Sequence, residues 1–145
     1  MGTVNLGRGG VVGTGQYVGR TKWARAYYDF ATDGGTGAIE LRGDAIPAGA
    51  VVLNTIVKVE TALAPTTSST QALSIEAAND VRTAAVATGT VVLSSTGVKL
   101  GVITRATAGT ITTADRPVVL TVATADLTAG RLSVLVEYIE LHAAV

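Results

Sequence analysis

From Ala50 to Leu63 the chain reads AVVLNTIVKVETAL, and its apolar side chains return on alternate positions. Val51, Leu53, Val57, Val59 and Leu63 fall on one side of an extended backbone, with Asn54, Lys58 and Glu60 on the other. A period of two marks a half-buried strand, because a helix would bring such residues round on a 3.6-residue cycle. KWARAYYDF, GAIELRG, QALSIEA, RPVVLTVAT and RLSVLVEYIEL read the same way, and TVVLSS with VKLGVIT reads as a hairpin across Thr96–Gly97. Turn chemistry separates them: Pro47 and Gly49 in DAIPAG, the polar APTTSST, the Gly/Thr run ATAGTITTADR, and ADLTAG. Pro117 opens its run, where a missing N–H is tolerated. About eight short strands joined by turns predict an all-β domain, an antiparallel β-sandwich or a jelly-roll-like barrel. Only AANDVRTAAVA, residues 77–87, breaks the pattern. Asn79 or Asp80 can cap a helix there and the alanines favour one, so one to two helical turns are expected.

The last strand carries a second message. Val134, Val136 and Tyr138 share one face, while Leu135, Ile139 and Leu141 share the other. A strand apolar on both faces is buried on both, and in 145 residues the second face is expected to meet another subunit. Composition points the same way. Hydrophobic residues make up 48% of the chain but aromatics only 4%, and charged residues only 15%, against roughly 25% in an ordinary domain. A domain of this size buries only about two-thirds of its unfolded surface, so much apolar area remains outside unless copies associate. Wholesale disorder is excluded by that hydrophobicity. No run reaches the roughly 18 apolar residues of a membrane-spanning helix, and no membrane partner is expected.

Residues 1–20 differ from the rest. Seven glycines make this stretch costly to order alone. Through Arg25 the chain carries Arg8, Arg20, Lys22 and Arg25 and no acid, although the whole chain balances eleven bases against eleven acids. The expected organisation is a basic arm, 1–20, on a single acidic β domain, 21–145. Val11, Val12, Tyr17 and Val18 are the arm's candidates for docking, by backbone pairing with an open sheet edge of a neighbour. Lys22, Trp23 and Arg25 would continue that contact. The N-terminus shows no apolar leader segment, and Leu6 stands where an acylation signal wants Ser or Thr.

Chemistry-bearing motifs are scarce. There is no cysteine, which excludes disulfides and thiolate sites. The single histidine, His142, is near the C-terminus, and the hydrolase, P-loop and zinc-protease motifs are absent. Gly13–Gly19 approaches a dinucleotide fingerprint but has its last glycine one residue late and no strand before it. Asp29, Asp33, Gly34 and Glu40 match four positions of a calcium loop, but Ala31 occupies a ligand position and the flanks read as strands. A β-turn around Asp33-Gly34-Gly35 is the plainer reading. Arg42-Gly43-Asp44 spells an integrin tripeptide at the start of a turn. Trp23, Arg25 and Tyr27 share a strand face, which suits a core or interface, or as a different class a carbohydrate-binding platform. Glu137 and Glu140 point to opposite faces and form no acid–base pair. No enzyme activity, cofactor, metal or direct nucleic-acid contact is expected.

Two phrases in order carry a resemblance. Ala45-Ile46-Pro47-Ala48-Gly49-Ala50-Val51-Val52 leads into the long strand to Glu60. Pro117-Val118-Val119-Leu120-Thr121-Val122 is followed by Leu127-Thr128-Ala129-Gly130-Arg131-Leu132 and Val136-Glu137-Tyr138. Over residues 37–141 the chain resembles head decoration (cement) and related minor virion proteins of tailed bacteriophages. That resemblance implies a β-sandwich or jelly-roll module that assembles as a homo-oligomer, a trimer first, on the exterior of a lattice of major capsid protein. A tail or baseplate structural protein is the alternative within the virion. The residues expected at contacts are Arg8, Val11, Val12, Tyr17, Val18, Arg20, Lys22, Trp23, Arg25, Leu135, Ile139 and Leu141.

Overall fold

Two long strands, Ala50–Pro65 and Leu127–Glu140, pair antiparallel along nearly their whole length and form the spine of the molecule. The computed structural model describes residues 21–78, 80–86, 93–101 and 111–140. In chain order the elements are β1 (Lys22–Asp29), α1 (Phe30–Asp33), β2 (Gly37–Glu40), β3 (Arg42–Gly43), β4 (Ala50–Pro65), β5 (Thr70–Ser74), β6 (Arg82–Val86), β7 (Gly97–Leu100), β8 (Val119–Ala123) and β9 (Leu127–Glu140). They form two sheets in which every pairing is antiparallel. One has five strands in the order β3-β1-β9-β4-β7, the other four in the order β2-β8-β5-β6. The protein is an all-β sandwich with one short helix.

The core lies between the sheets and follows the alternation. Val57, Val59, Leu132, Val134 and Val136 point inward from β4 and β9, and Leu73, Leu120 and Val122 meet them from β5 and β8. Tyr28 is the largest fully buried side chain among the described residues. Its hydroxyl donates to the Gly34 carbonyl at 2.7 Å, which satisfies its one polar atom. Burying each of these aliphatic side chains contributes about 1.5–3 kcal/mol.

Three local readings are corrected. The face of β4 is not continuous, because a bulge between Val52 and Asn54 inserts an extra residue. Thr55, Val57, Val59 and Leu63 are buried, but before the bulge the inward residues are Ala50 and Val52, so Val51 and Leu53 turn outward. The helix expected within 77–87 is absent from its described part. Asp80 instead accepts the amides of Ile75, Glu76 and Ala77 at 2.8–2.9 Å, which closes a tight bend, and Arg82–Val86 then joins β5 as a strand. A side chain that could cap a helix has capped a turn. The short helix lies at α1, where Asp29 caps the Ala31 amide at 3.1 Å and Gly34, at φ 77°, ends the turn; there a β-turn was expected.

GAIELRG, read as one strand, changes sheets. Its first half is β2 in the four-stranded sheet and its second half is β3 beside β1. The crossing point, Leu41, is buried and donates its amide to the Val118 carbonyl. Gly43 permits the close approach of β3, since at φ 115° a Cβ there would run into the Arg25 carbonyl oxygen. Of the expected hairpin, only the second strand is seen, as β7 on the edge of β4; residues 90–92 lie outside the described residues.

Candidate interaction surface

The two sandwich faces that look outward are unlike each other. In an antiparallel sheet, opposed residues share a face, so the register defines each surface. On the five-stranded sheet the register gives five rows, two of which cross from β1 to β7. They are Ile139/Val51/Ile111, then Trp23/Glu137/Asn54, then Arg25/Leu135/Ile56/Leu100, then Arg42/Tyr27/Ser133/Lys58/Val98, then Asp29/Arg131/Thr61. The large hydrophobic residues most exposed among those described are Trp23 (47%), Tyr27 (41%), Val98 (66%), Leu100 (66%) and Ile111 (49%). All five stand on this one face. The described outer rows of the four-stranded sheet are instead Ala38/Thr121/Ala72 and Glu40/Val119/Ser74, small or polar except for the half-buried Val119.

Of the expected contact residues, the structure brings Trp23, Arg25, Leu135 and Ile139 together on the apolar face. Lys22 is placed elsewhere. It opposes Tyr138, on the inward-facing set of β1, and its ammonium reaches Glu140 at 3.0 Å, which raises its pKa. Arg8, Val11, Val12, Tyr17, Val18, Arg20 and Leu141 lie outside the described residues, as does His142. The sequence reading did not single out Val98, Leu100, Ile111 and Ile56. Gly97-Val98-Lys99-Leu100 alternates, but alternation alone leaves open which side faces the core. Lys99 opposes the fully buried Val57 and donates to the Ser95 hydroxyl at 2.9 Å, while Val98 and Leu100 look out.

Charges on this face are mixed. Arg25 and Lys58 are offset by Glu60 and Glu137, with Lys58 and Glu60 3.9 Å apart. Arg25, Tyr27, Lys58, Glu60, Ser133 and Leu135 line a shallow depression of about 220 Å³ in its middle.

A second polar centre sits at one end of the face, around α1. Asp33 accepts the Asp29 amide at 2.8 Å and pairs with Arg42 through Nε and Nη2 of its guanidinium, at 2.8 and 3.2 Å. Asp29 pairs with Arg131 at 2.8 Å. The Ala31 amide, then Arg131, hold the Asp29 carboxyl below its usual range. Burial pushes the adjacent Tyr28 phenol up to about 12. These are the residues of the apparent calcium loop. Their oxygens are committed to capping and to arginines, and Glu40 is on the far sheet. Among the described residues no group of three or more His, Cys, Asp or Glu is placed to hold a metal ion. The Arg42-Gly43-Asp44 tripeptide is likewise built into the fold. Arg42 holds Asp33, and Asp44 accepts the Arg25 amide at 3.0 Å.

At the other end, Glu76 ties loops together. It accepts from Arg116 at 2.8 and 3.2 Å and from the Thr113 hydroxyl at 2.6 Å. Arg116, followed by Thr113, brings its carboxyl down to about 2. The buried Thr112 hydroxyl accepts the Ala50 amide and donates to the Pro47 carbonyl, fixing the DAIPAG turn.

The sequence matches no protein-family model and no curated protein. The fold is similar to solved structures. A chain of the capsid asymmetric unit of cyanophage Pam1 superposes with a TM-score of 0.60 at 20% identity, over 86% of this chain and 87% of that one. A chain of the capsid of Ralstonia phage GP4 gives 0.61 at 18% identity, over 87% and 88%. One from the acid-stable capsid of Helicobacter pylori bacteriophage KHP30 gives 0.55 at 19% identity, over 82% and 86%. The likeness spans nearly the full length of each partner, so it concerns the whole sandwich.

Proposed function

We propose that the chain is a non-enzymatic structural protein of a phage virion, a decoration (cement) protein that binds the exterior of the head as a homo-oligomer, a trimer first, and stabilises it. The observation that carries this reading is the near end-to-end match, in both directions, with chains from three phage capsids. The surface supports it, because Asp29, Asp33 and Glu76 are engaged by amides and arginines and the large hydrophobic residues most exposed among those described gather on one face. That is the chemistry of association. A head location is preferred to a tail or baseplate because all three of those structures are capsids.

The mechanism is linkage. A protein that binds the assembled lattice and not its separated subunits stabilises the lattice by its binding free energy, and an oligomer that touches several capsomers at once adds avidity. The test takes purified particles, separates heads from tails, and counts this chain in each by mass spectrometry. Heads stripped of it are then heated with and without added protein. The account expects a fixed copy number on heads and a higher temperature of DNA release after addition. Recovery with tails only, or absence from the particle, overturns it.

A further inference from the structure

We propose that the outer face of the five-stranded sheet is where copies of this chain meet, the occupant being a second copy of the same face or its margin. The inference stands on the surface itself and would hold whatever the protein decorates.

Three observations support it. The first is segregation. All five of the most exposed large hydrophobic residues described lie on this face, and none on the outer face of the other sheet. Strands about 4.8 Å apart and same-face rows about 6.8 Å apart give this face roughly 300–500 Å², on which the exposed apolar side chains stand among charged ones.

The second is the inverted strand β7. An edge strand in contact only with water gains by pointing its lysine out and its valine and leucine in. Here Lys99 is turned toward the sandwich and Val98 and Leu100, each 66% exposed, are turned away from it. An inward-facing lysine also blunts the edge against added strands. The apolar pair therefore calls for a cover on the face and not along the edge.

The third observation selects the occupant. A face built for a partner of one charge would carry the opposite charge. This face carries Arg25, Arg42, Lys58 and Arg131 against Asp29, Glu60 and Glu137, a near balance of signs. A second copy supplies both signs, in a head-to-tail contact that joins unlike margins. Its two apolar margins differ, aromatic at β1 (Trp23, Tyr27) and aliphatic at β7 (Val98, Leu100). These margins are about three strand spacings apart, roughly 14 Å. The aromatic margin of one copy laid on the aliphatic margin of the next covers both.

The test uses the full chain. Light scattering at micromolar concentration is expected to give a multiple of 14.6 kDa. Val98→Glu and Tyr27→Glu should each drop the mass to one chain, and Thr121→Glu, on the other outer face, should leave it unchanged. A second readout avoids any loss of folding. The chain has no cysteine, so Val98→Cys supplies one thiol, expected to be alkylated slowly when assembled and faster on dilution. A wild-type mass of 14.6 kDa throughout, or assembly that survives both glutamates, overturns the inference. So does a Val98→Cys thiol that reacts as fast as Thr121→Cys at every concentration. A monomeric chain that still binds heads defeats this proposal and leaves the decoration role standing.

Discussion

The two sheets of this sandwich share one core yet present opposite outer surfaces. Inward, both obey the same rule, with Val134 and Val136 facing Leu73 and Leu120. Outward, β2, β8 and β5 show Ala38, Glu40, Ser74, Val119 and Thr121, while β1, β4, β7 and β9 show Trp23, Tyr27, Ile56, Leu135 and Val98. Folding needs only the inner faces. The outer one of the larger sheet is thus in excess of what folding uses, and association is the process that can use it.

The largest expected effect separates inside from outside. Leu120→Ala, at a fully buried inner position, should cost about 2–5 kcal/mol of stability, measured by chemical denaturation. Tyr27→Ala, on the outer face, should change the stability of the separated chain by no more than about 0.5 kcal/mol while lowering the oligomer's mass. Equal destabilisation by both would erase the distinction between the faces.

A smaller effect concerns α1. Asp33, which reads in the sequence as an incidental turn acid, holds the Asp29 amide and Arg42 with its side chain only 8% exposed. Asp33→Ala should cost about 1–3 kcal/mol, whereas Glu40→Ala, at the margin of the polar outer face, should be nearly neutral. Calcium should raise the melting temperature of neither. A rise of several degrees with calcium would mean that these carboxylates are free to bind it.

Acid supplies a third comparison, between the loop clasp and the faces. The Glu76 carboxyl titrates lower in the folded chain than its ordinary 4.5, at about 2. Its contribution is therefore present above about 4.5 and is lost as pH falls from there toward 2. Asp29 acts in the same direction. Glu76→Gln should flatten the acid limb of a melting-temperature profile without altering assembly at neutral pH. An unchanged acid limb would remove Glu76 from the account.

The smallest effect is the one that depends on charge. Deleting residues 1–20 should leave a folded sandwich, because the core seen among the described residues is built from Ala24 onward, but should weaken attachment to a lattice or a sister subunit. Exposed ion pairs are worth only about 0–1 kcal/mol each, and the difference should shrink with salt. Equal binding by both forms at low and high salt would make the segment a passive tail.

Much of this was legible in the sequence because strand period and turn chemistry are local. The two faces of β9 and the polar loop after β4 required nothing distant. What was not legible depends on partners far along the chain. Val51 and Leu53 were assigned inward because a one-residue bulge leaves no mark on an alternating string. The 77–87 region looked helical because a cap for a helix and a cap for a bend use the same Asp80. The outward set of β7 was missed because alternation tells that two faces differ, and only the pairing with β4 tells which one meets the core.

Trp23 offers the most direct measurement, since it is the chain's only tryptophan and stands on the face in question. Its quenching by acrylamide can be followed from high to low protein concentration, in the wild type and in Val98→Glu. The account predicts a shielded indole in the assembled protein that becomes accessible on dilution, and one accessible at all concentrations in Val98→Glu. A Trp23 that is equally and fully quenched in both proteins at every concentration would contradict it.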